Sequence, residues 1–313
     1  MNEWLGVHWG MCLQEILGAC KFRVARRSLI VAFALASGAL ATAQSEAANN
    51  VSGTWSPVFT WTLIPLHVVM TPDARILSYG TTANGTQTGL FIYDVWDTSA
   101  GPTGLGHVTL PNNTNTDIFC SSQLLLADGT NAGKVFLSGG DVYQNGATTS
   151  TANKNTNIFN PATNQLTRAT DMNSPRWYGA STMLLNGEVY IQGGSSGTAR
   201  PEVRRTDGTF RLLSSADTSA LAFQYPRNFV APDGRIFGYD SNGVMYYVNT
   251  AGTGSYSGQG QFPVANRGTS NGSAAMFRPG RILNFGGDSN QAIVIDIRNG
   301  APVLTPTSAM ATQ

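Results

Sequence analysis

Four positions in this sequence share one register and carry side chains that could either do chemistry or plug a channel. Cys120 lies nine residues before the turn glycine Gly129, Tyr178 nine before Gly187, Tyr225 nine before Gly234 and Asn271 nine before Gly280. Cys120 is the one cysteine that remains once an N-terminal leader holding Cys12 and Cys20 is removed. A free cysteine is usually a small buried apolar residue. A chemical role needs a partner, and the shared register offers the phenol of Tyr178. The three histidines are His8, His67 and His107. His8 falls in the leader, His67 stands seven rather than nine residues before its turn position at Ala74, and His107 reads as part of a Gly-rich loop. The sequence contains no P-loop, no metalloprotease helix and no Gly-x-Ser-x-Gly elbow.

The register comes from a repeated hairpin: an apolar strand, a tight turn with Asp, Asn or Gly, and a second strand that usually ends in glycine. It recurs at 71–80, 127–140, 185–194, 232–238 and 278–287. With Gly80, Gly140, Gly194, Gly238 and Gly287 as markers, the steps are 60, 54, 44 and 49 residues. Shorter strands between the hairpins are expected at Gly89–Asp94, Thr156–Asn160 and Ala292–Asp296, which are rich in β-branched or aromatic residues. Each repeat therefore holds enough strand for a four-stranded blade, at a spacing close to that of kelch repeats. The expected fold is all-β, a kelch-type β-propeller with about five blades, rather than two β-sandwiches, which have no reason to repeat a hairpin five times. Equivalent positions at the start of neighbouring inner strands converge near a propeller's axis. Cys120 and Tyr178 should then meet, although more than fifty residues separate them.

Composition narrows the remaining possibilities. Of 313 residues 35 are Gly, only 12% are charged, and the net charge is +1. Such a chain starves long helices and offers no field for a nucleic-acid backbone. The hydrophobic content of 42% allows a substantial core. At the N-terminus, Lys21, Arg23, Arg26 and Arg27 precede an apolar run from Leu29 to Leu40, and Ala41-Thr-Ala43 fits a signal-peptidase site. Residues 1–43 read as a leader, 44–54 as a short linker and 55–313 as the propeller domain. Arg26-Arg27-Ser28-Leu29 faintly resembles a twin-arginine signal. The run is too short to span a bilayer, which needs about 20 apolar residues. The expected product is secreted or periplasmic, with no membrane span after leader removal. Sequons at Asn50, Asn84 and Asn271 arise readily by chance in a chain of this composition.

The quoted residues resemble those of the galactose oxidase and glyoxal oxidase family of copper-radical oxidases. Asp117-Ile-Phe-Cys120 is similar to that family's cysteine motif and Pro175-Arg-Trp-Tyr178 to its radical-tyrosine motif, while Asn266-Arg-Gly268 and Arg281-Ile-Leu-Asn-Phe-Gly-Gly287 resemble a later blade. The likeness covers roughly residues 55–300. It implies that Tyr178 is a copper ligand joined by a thioether to Cys120, forming a cross-linked Cys-Tyr radical cofactor beside copper. It implies that Phe119 lies beside the substrate pocket, with Tyr225 as a second substrate-binding candidate. The implied reaction converts a primary alcohol, aldehyde or carbohydrate, with O2, to an aldehyde or acid and H2O2. A thioether donates electron density to the phenolate, and a phenolate suits tetragonal Cu(II).

Two departures from the family shape the expectation. The family's propeller has seven blades, and its other copper ligands, a Tyr-His pair and a further His, lie after the fifth repeat; none of His8, His67 and His107 matches them. The chain thus looks like the front portion of such a protein and is expected to be inactive alone. The family member galactose oxidase stacks a tryptophan over its radical tyrosine from the loop that here reads Gly193-Gly-Ser-Ser-Gly197, where Ser196 supplies no shield. The competing expectation is a secreted kelch-type propeller that binds carbohydrate or protein without catalysis.

Overall fold

The computed structural model describes residues 56–127, 129–263 and 272–311. The leader and linker, the sequon at Asn50, Asn266–Gly268 and Asn271 fall outside the described residues. Residues Val58–Gln313 form one compact unit.

Strands run through it from end to end. The first sheet is β1 (Ile64–Met70), β2 (Arg75–Thr81), β3 (Ile92–Asp97) and β4 (His107–Pro111); the second is β5 (Ser122–Leu125), β6 (Val135–Ser138), β9 (Thr156–Asn160) and β10 (Gln165–Arg168), with a ribbon of β7 (Tyr143–Gln144) and β8 (Ala147–Thr148) inserted in its middle connection. The third is β11 (Trp177–Met183), β12 (Val189–Ser195), β13 (Glu202–Arg204) and β14 (Phe210–Leu212). The fourth is β15 (Arg227–Val230), β16 (Ile236–Tyr239), β17 (Val244–Asn249) and β18 (Ser255–Gln261), and the fifth β19 (Gly272–Arg278), β20 (Arg281–Gly286), β21 (Ala292–Asp296) and β22 (Val303–Pro306). The architecture is therefore all-β and propeller-like, with five four-stranded antiparallel sheets among the described residues. The expected strand at Gly89–Asp94 is displaced to Ile92–Asp97, because Gly89 to Phe91 belong to the turn that brings the chain back from β2.

Period-two alternation explains how the sheets stack. In β16, Ile236 faces the third sheet while Phe237 faces the fifth, and in β17 Tyr246 and Val248 face one way while Met245 and Tyr247 face the other. In β6, Val135 and Leu137 pack toward the first sheet and Phe136 toward the third. Four apolar clusters result, one in each gap between consecutive sheets. The outward face of the first sheet is different: Ile64, Leu66, Val68 and Met70 alternate along β1 and are all exposed.

Sheets meet at their first strands, β5 against β11 and β11 against β15. Paired glycines at the ends of the second strands permit this approach. The N–H of Gly140 donates to Arg176 O at 2.9 Å, and that of Gly194 to Phe223 O at 2.7 Å. A Cβ on Gly139 would sit 2.1 Å from Arg176 O, and its φ is +71°. Gly139→Ala should therefore cost more than about 2 kcal/mol. Gly85→Ala supplies the control: φ is +86°, but nothing lies within 4 Å. It should cost about 1 kcal/mol from backbone strain alone. Urea denaturation of the two variants separates close approach from strain.

Candidate functional site

Where successive first strands begin, the chain adopts the same unusual backbone three times. Cys120, Tyr178 and Tyr225 are non-glycine residues in the left-handed region, with φ of 61°, 68° and 40°. Their main chains are linked in series: Tyr178 N–H donates to Cys120 O at 3.1 Å, and Tyr225 N–H to Tyr178 O at 2.8 Å. At the head of the series Cys120 N–H donates to His67 Nε2 at 3.2 Å. The nine-residue register thus has a structural meaning, because it marks one backbone kink per sheet.

These residues open onto one pocket of about 660 Å³, lined by His67, Phe119, Cys120, Gln123, Tyr178 and Tyr225 among others. Cys120 is buried there, and its thiol interacts with the hydroxyls of both Tyr178 and Tyr225. Burial pushes the thiol up to about 11, against the pull of those two hydroxyls, and the carboxylates of Asp141 and Asp117 add to the rise. Tyr178 is pushed up to about 12, first by burial and then by Cys120, and burial holds Tyr225 well above the usual phenol range. At neutral pH all three groups are protonated. Asp117, two residues from Phe119, is raised to about 6 by burial, opposed by the hydrogen bond from Phe119 N–H.

Two aromatic contacts went unread in the sequence. Trp177 stacks on Tyr178 with ring centroids 3.9 Å apart and planes 18° apart, so the indole cover that Ser196 cannot supply comes from the adjacent residue. Neighbours in a regular strand point to opposite faces. The left-handed φ of Tyr178 breaks that alternation and folds its ring back beneath Trp177. The ring of Tyr225 lies 4.9 Å from that of Tyr178, tilted by 39°.

His67, set aside by its register, belongs to the same pocket. The regular β1–β2 ladder seats the imidazole opposite Tyr79, just inside a bulge between Ile64 and His67, and the rings stack at 4.6 Å. The Tyr79 hydroxyl meets Ser121 Oγ at 2.8 Å and donates to Gln123 Oε1. Burial pushes His67 down to about 4, opposed by a hydrogen bond with Gln123. His107 corrects a second reading. It is not in a loop but opens β4, buried with its Nδ1 2.6 Å from Asp94 Oδ2 and its ring stacked on Trp96, its cross-strand neighbour.

Arg176 anchors the segment that carries Trp177 and Tyr178. It is fully buried and pairs with Glu202 at 2.9 Å, while Nη1 donates to Gly193 O and Gly197 O at 2.7 and 2.8 Å and Nη2 to Arg200 O at 2.7 Å. Glu202 Oε2 in turn accepts from Asn173 N–H at 2.8 Å. These partners lie in the third sheet, in its β12–β13 connection and in the turn that enters it, so one guanidinium ties the three together.

No family model matches the chain, and no curated protein does. A solved structure of a fungal alcohol oxidase of the AA5 family, in complex with copper, superposes with a TM-score of 0.66 at 19% identity, covering 83% of this chain and 57% of that one. The chain shares the fold of the matched part of that oxidase. The chain spans 57% of that oxidase's length.

As a copper centre the donor set falls short. Among the described residues no group of three His, Cys, Asp or Glu could hold a metal. The imidazole in the pocket already uses its Nε2 lone pair on the Cys120 amide. Tyr178 is a credible phenolate ligand, yet the described residues do not complete a tetragonal field around it.

Two measurements test this geometry. The depressed folded value of His67 means that the unfolded chain takes up its proton first, near 6.5, and the folded chain only near 4. Stability should be constant above that window and fall by about 2 kcal/mol as pH drops through it, a figure reduced for the ring's partial exposure. His67→Gln should flatten that slope in denaturation series at several pH values. Arg176→Met should cost about 3–5 kcal/mol because it strands a buried carboxylate, and adding Glu202→Met should recover most of the loss.

Proposed function

We propose that the pocket is the thiol–phenol part of a galactose oxidase-like copper-radical site, with Cys120 and Tyr178 as the pair that becomes the cross-linked cofactor. The observation that carries this reading is that Cys120 and Tyr178, joined by a main-chain hydrogen bond of 3.1 Å, open onto one pocket with the Trp177 indole stacked on the phenol. Cross-linking joins Sγ to the ring carbon beside the hydroxyl; the thiol and that carbon each lose a hydrogen, and two electrons and two protons pass to O2. In the finished site Tyr178 would be the ligand, and copper would supply the second one-electron acceptor. Trp177 would keep solvent from the face of the ring it covers. Phe119 and Tyr225 would border the substrate, a primary alcohol, aldehyde or carbohydrate.

The remaining copper ligands are not among the described residues, and the chain taken alone is proposed to be inactive. It would be one part of a seven-bladed oxidase propeller. Export to the periplasm or the cell exterior, by the leader at residues 1–43, belongs to the same proposal. No helix among the described residues is long and apolar enough to cross a membrane.

One observation favours a second reading. A wide pocket lined by Phe, Tyr, His and Gln also suits a propeller that binds carbohydrate without catalysis. The two readings diverge under one experiment. The chain loaded with copper in air should release no peroxide from primary alcohols or aldehydes, and its Cys120 should stay free to react with thiol reagents. Joined to the portion of the fungal oxidase that it does not match, it should gain turnover and a mass deficit of two hydrogens. Both should vanish in Tyr178→Phe and Cys120→Ser. A folded, copper-loaded chimera that lacks turnover and cross-link but binds sugars with quenching of Trp177 emission establishes the second reading.

A further inference from the structure

A small cavity of about 120 Å³ adjoins the segment that leads to Cys120, and its polar lining is made of oxygen-bearing side chains: Asn115, Asp117, Asp141, Tyr143, Asn153 and Asn155. No Lys, Arg or His lines it. Asp141 is 1% exposed, and its Oδ1 is fully engaged by the N–H groups of Val142 at 2.8 Å and Thr151 at 3.2 Å. Its other oxygen, Oδ2, is buried without a hydrogen-bond partner. A buried carboxylate oxygen in that position is costly unless something positive satisfies it.

We propose that this cavity binds a hard divalent cation, calcium in preference to magnesium, with Asp141 Oδ2 as its principal ligand and the Asp117 carboxylate beside it. Carboxylate and amide oxygens, with neither sulfur nor imidazole among them, select such ions. The donors sit on irregular loops, which calcium's variable coordination tolerates and magnesium's strict octahedron does not. The site is preassembled. Asn153 Nδ2 donates to Asp117 O at 3.1 Å and Asp141 O at 2.7 Å, clamping together the two segments that carry the carboxylates. Asn155 spends its Nδ2 on Thr116 Oγ1, which leaves an amide oxygen as its free end. A cation here would tie the entry of β5 to the loop after β6 and so hold Phe119 and Cys120 in place. Asp141 N–H already donates to Phe119 O at 2.9 Å across the same join.

The test uses the full chain, freed of metal with a chelator. Calcium titrated by calorimetry should bind at one saturable site and raise the thermal midpoint, with magnesium binding more weakly. Asp141→Asn should weaken calcium binding by about tenfold or more, whereas Asp207→Asn, on an exposed turn, should leave it unchanged. Terbium should show emission sensitised by Tyr143, competed by calcium, and Tyr143→Phe should dim that emission. This readout on the native chain stands even if the Asp141 variant does not fold. Absence of saturable calcium binding by the native chain, or unchanged binding by a folded Asp141→Asn chain, overturns the proposal.

Discussion

Everything near the pocket hangs on a short series of main-chain hydrogen bonds running across the sheets rather than along them. Cys120 N–H reaches His67, Tyr178 N–H reaches Cys120 O, and Tyr225 N–H reaches Tyr178 O. Ladder bonds within a sheet are satisfied by its own strands, so these groups would otherwise be unpaired where the first strands begin. To make the bonds the chain turns into the left-handed region at each step. That turn decides where the side chains go: it draws a thiol and two phenols from three sheets to one wall and lets Trp177 cover its own neighbour.

The buried guanidinium of Arg176 and the paired glycines serve the same geometry from outside. Gly140 N–H and Gly194 N–H fasten each sheet to the residue two positions before the next kink. Arg176 is one of those residues, and its contacts with Glu202 and three carbonyl groups fix the turn in all directions at once. A buried pair of this kind contributes modest net stability but makes alternative arrangements costly, since any displacement strands a charge.

Counting from the turn glycines was enough to align Cys120, Tyr178 and Tyr225, because hairpin length is a local property and each hairpin here is short. The strands at Thr156–Asn160 and Ala292–Asp296 were legible for the same reason, a run of β-branched and aromatic residues between turn signals. His67 was not, since it reaches the pocket from the regular part of the β1–β2 ladder, opposite Tyr79, and not from the kink position of the count. Trp177 was hidden by the rule that neighbours in a strand diverge, which holds only for extended backbone. His107 follows a run of glycines yet starts a strand, because the Asp94 carboxylate and the Trp96 ring across from it reward burial. The lone oxygen of Asp141 has no sequence signature at all: it depends on which loops happen to face each other.

A left-handed backbone is least strained with glycine, and a residue bearing a Cβ gives up about 1 kcal/mol or more to occupy it. Glycine is plentiful in this chain and sits at many turns with positive φ. At three matching places the protein nevertheless carries Cys, Tyr and Tyr. Replacement by glycine there would ease the backbone while deleting the side chain. The strain at these three positions is the cost of bringing a thiol and two phenols to one pocket wall.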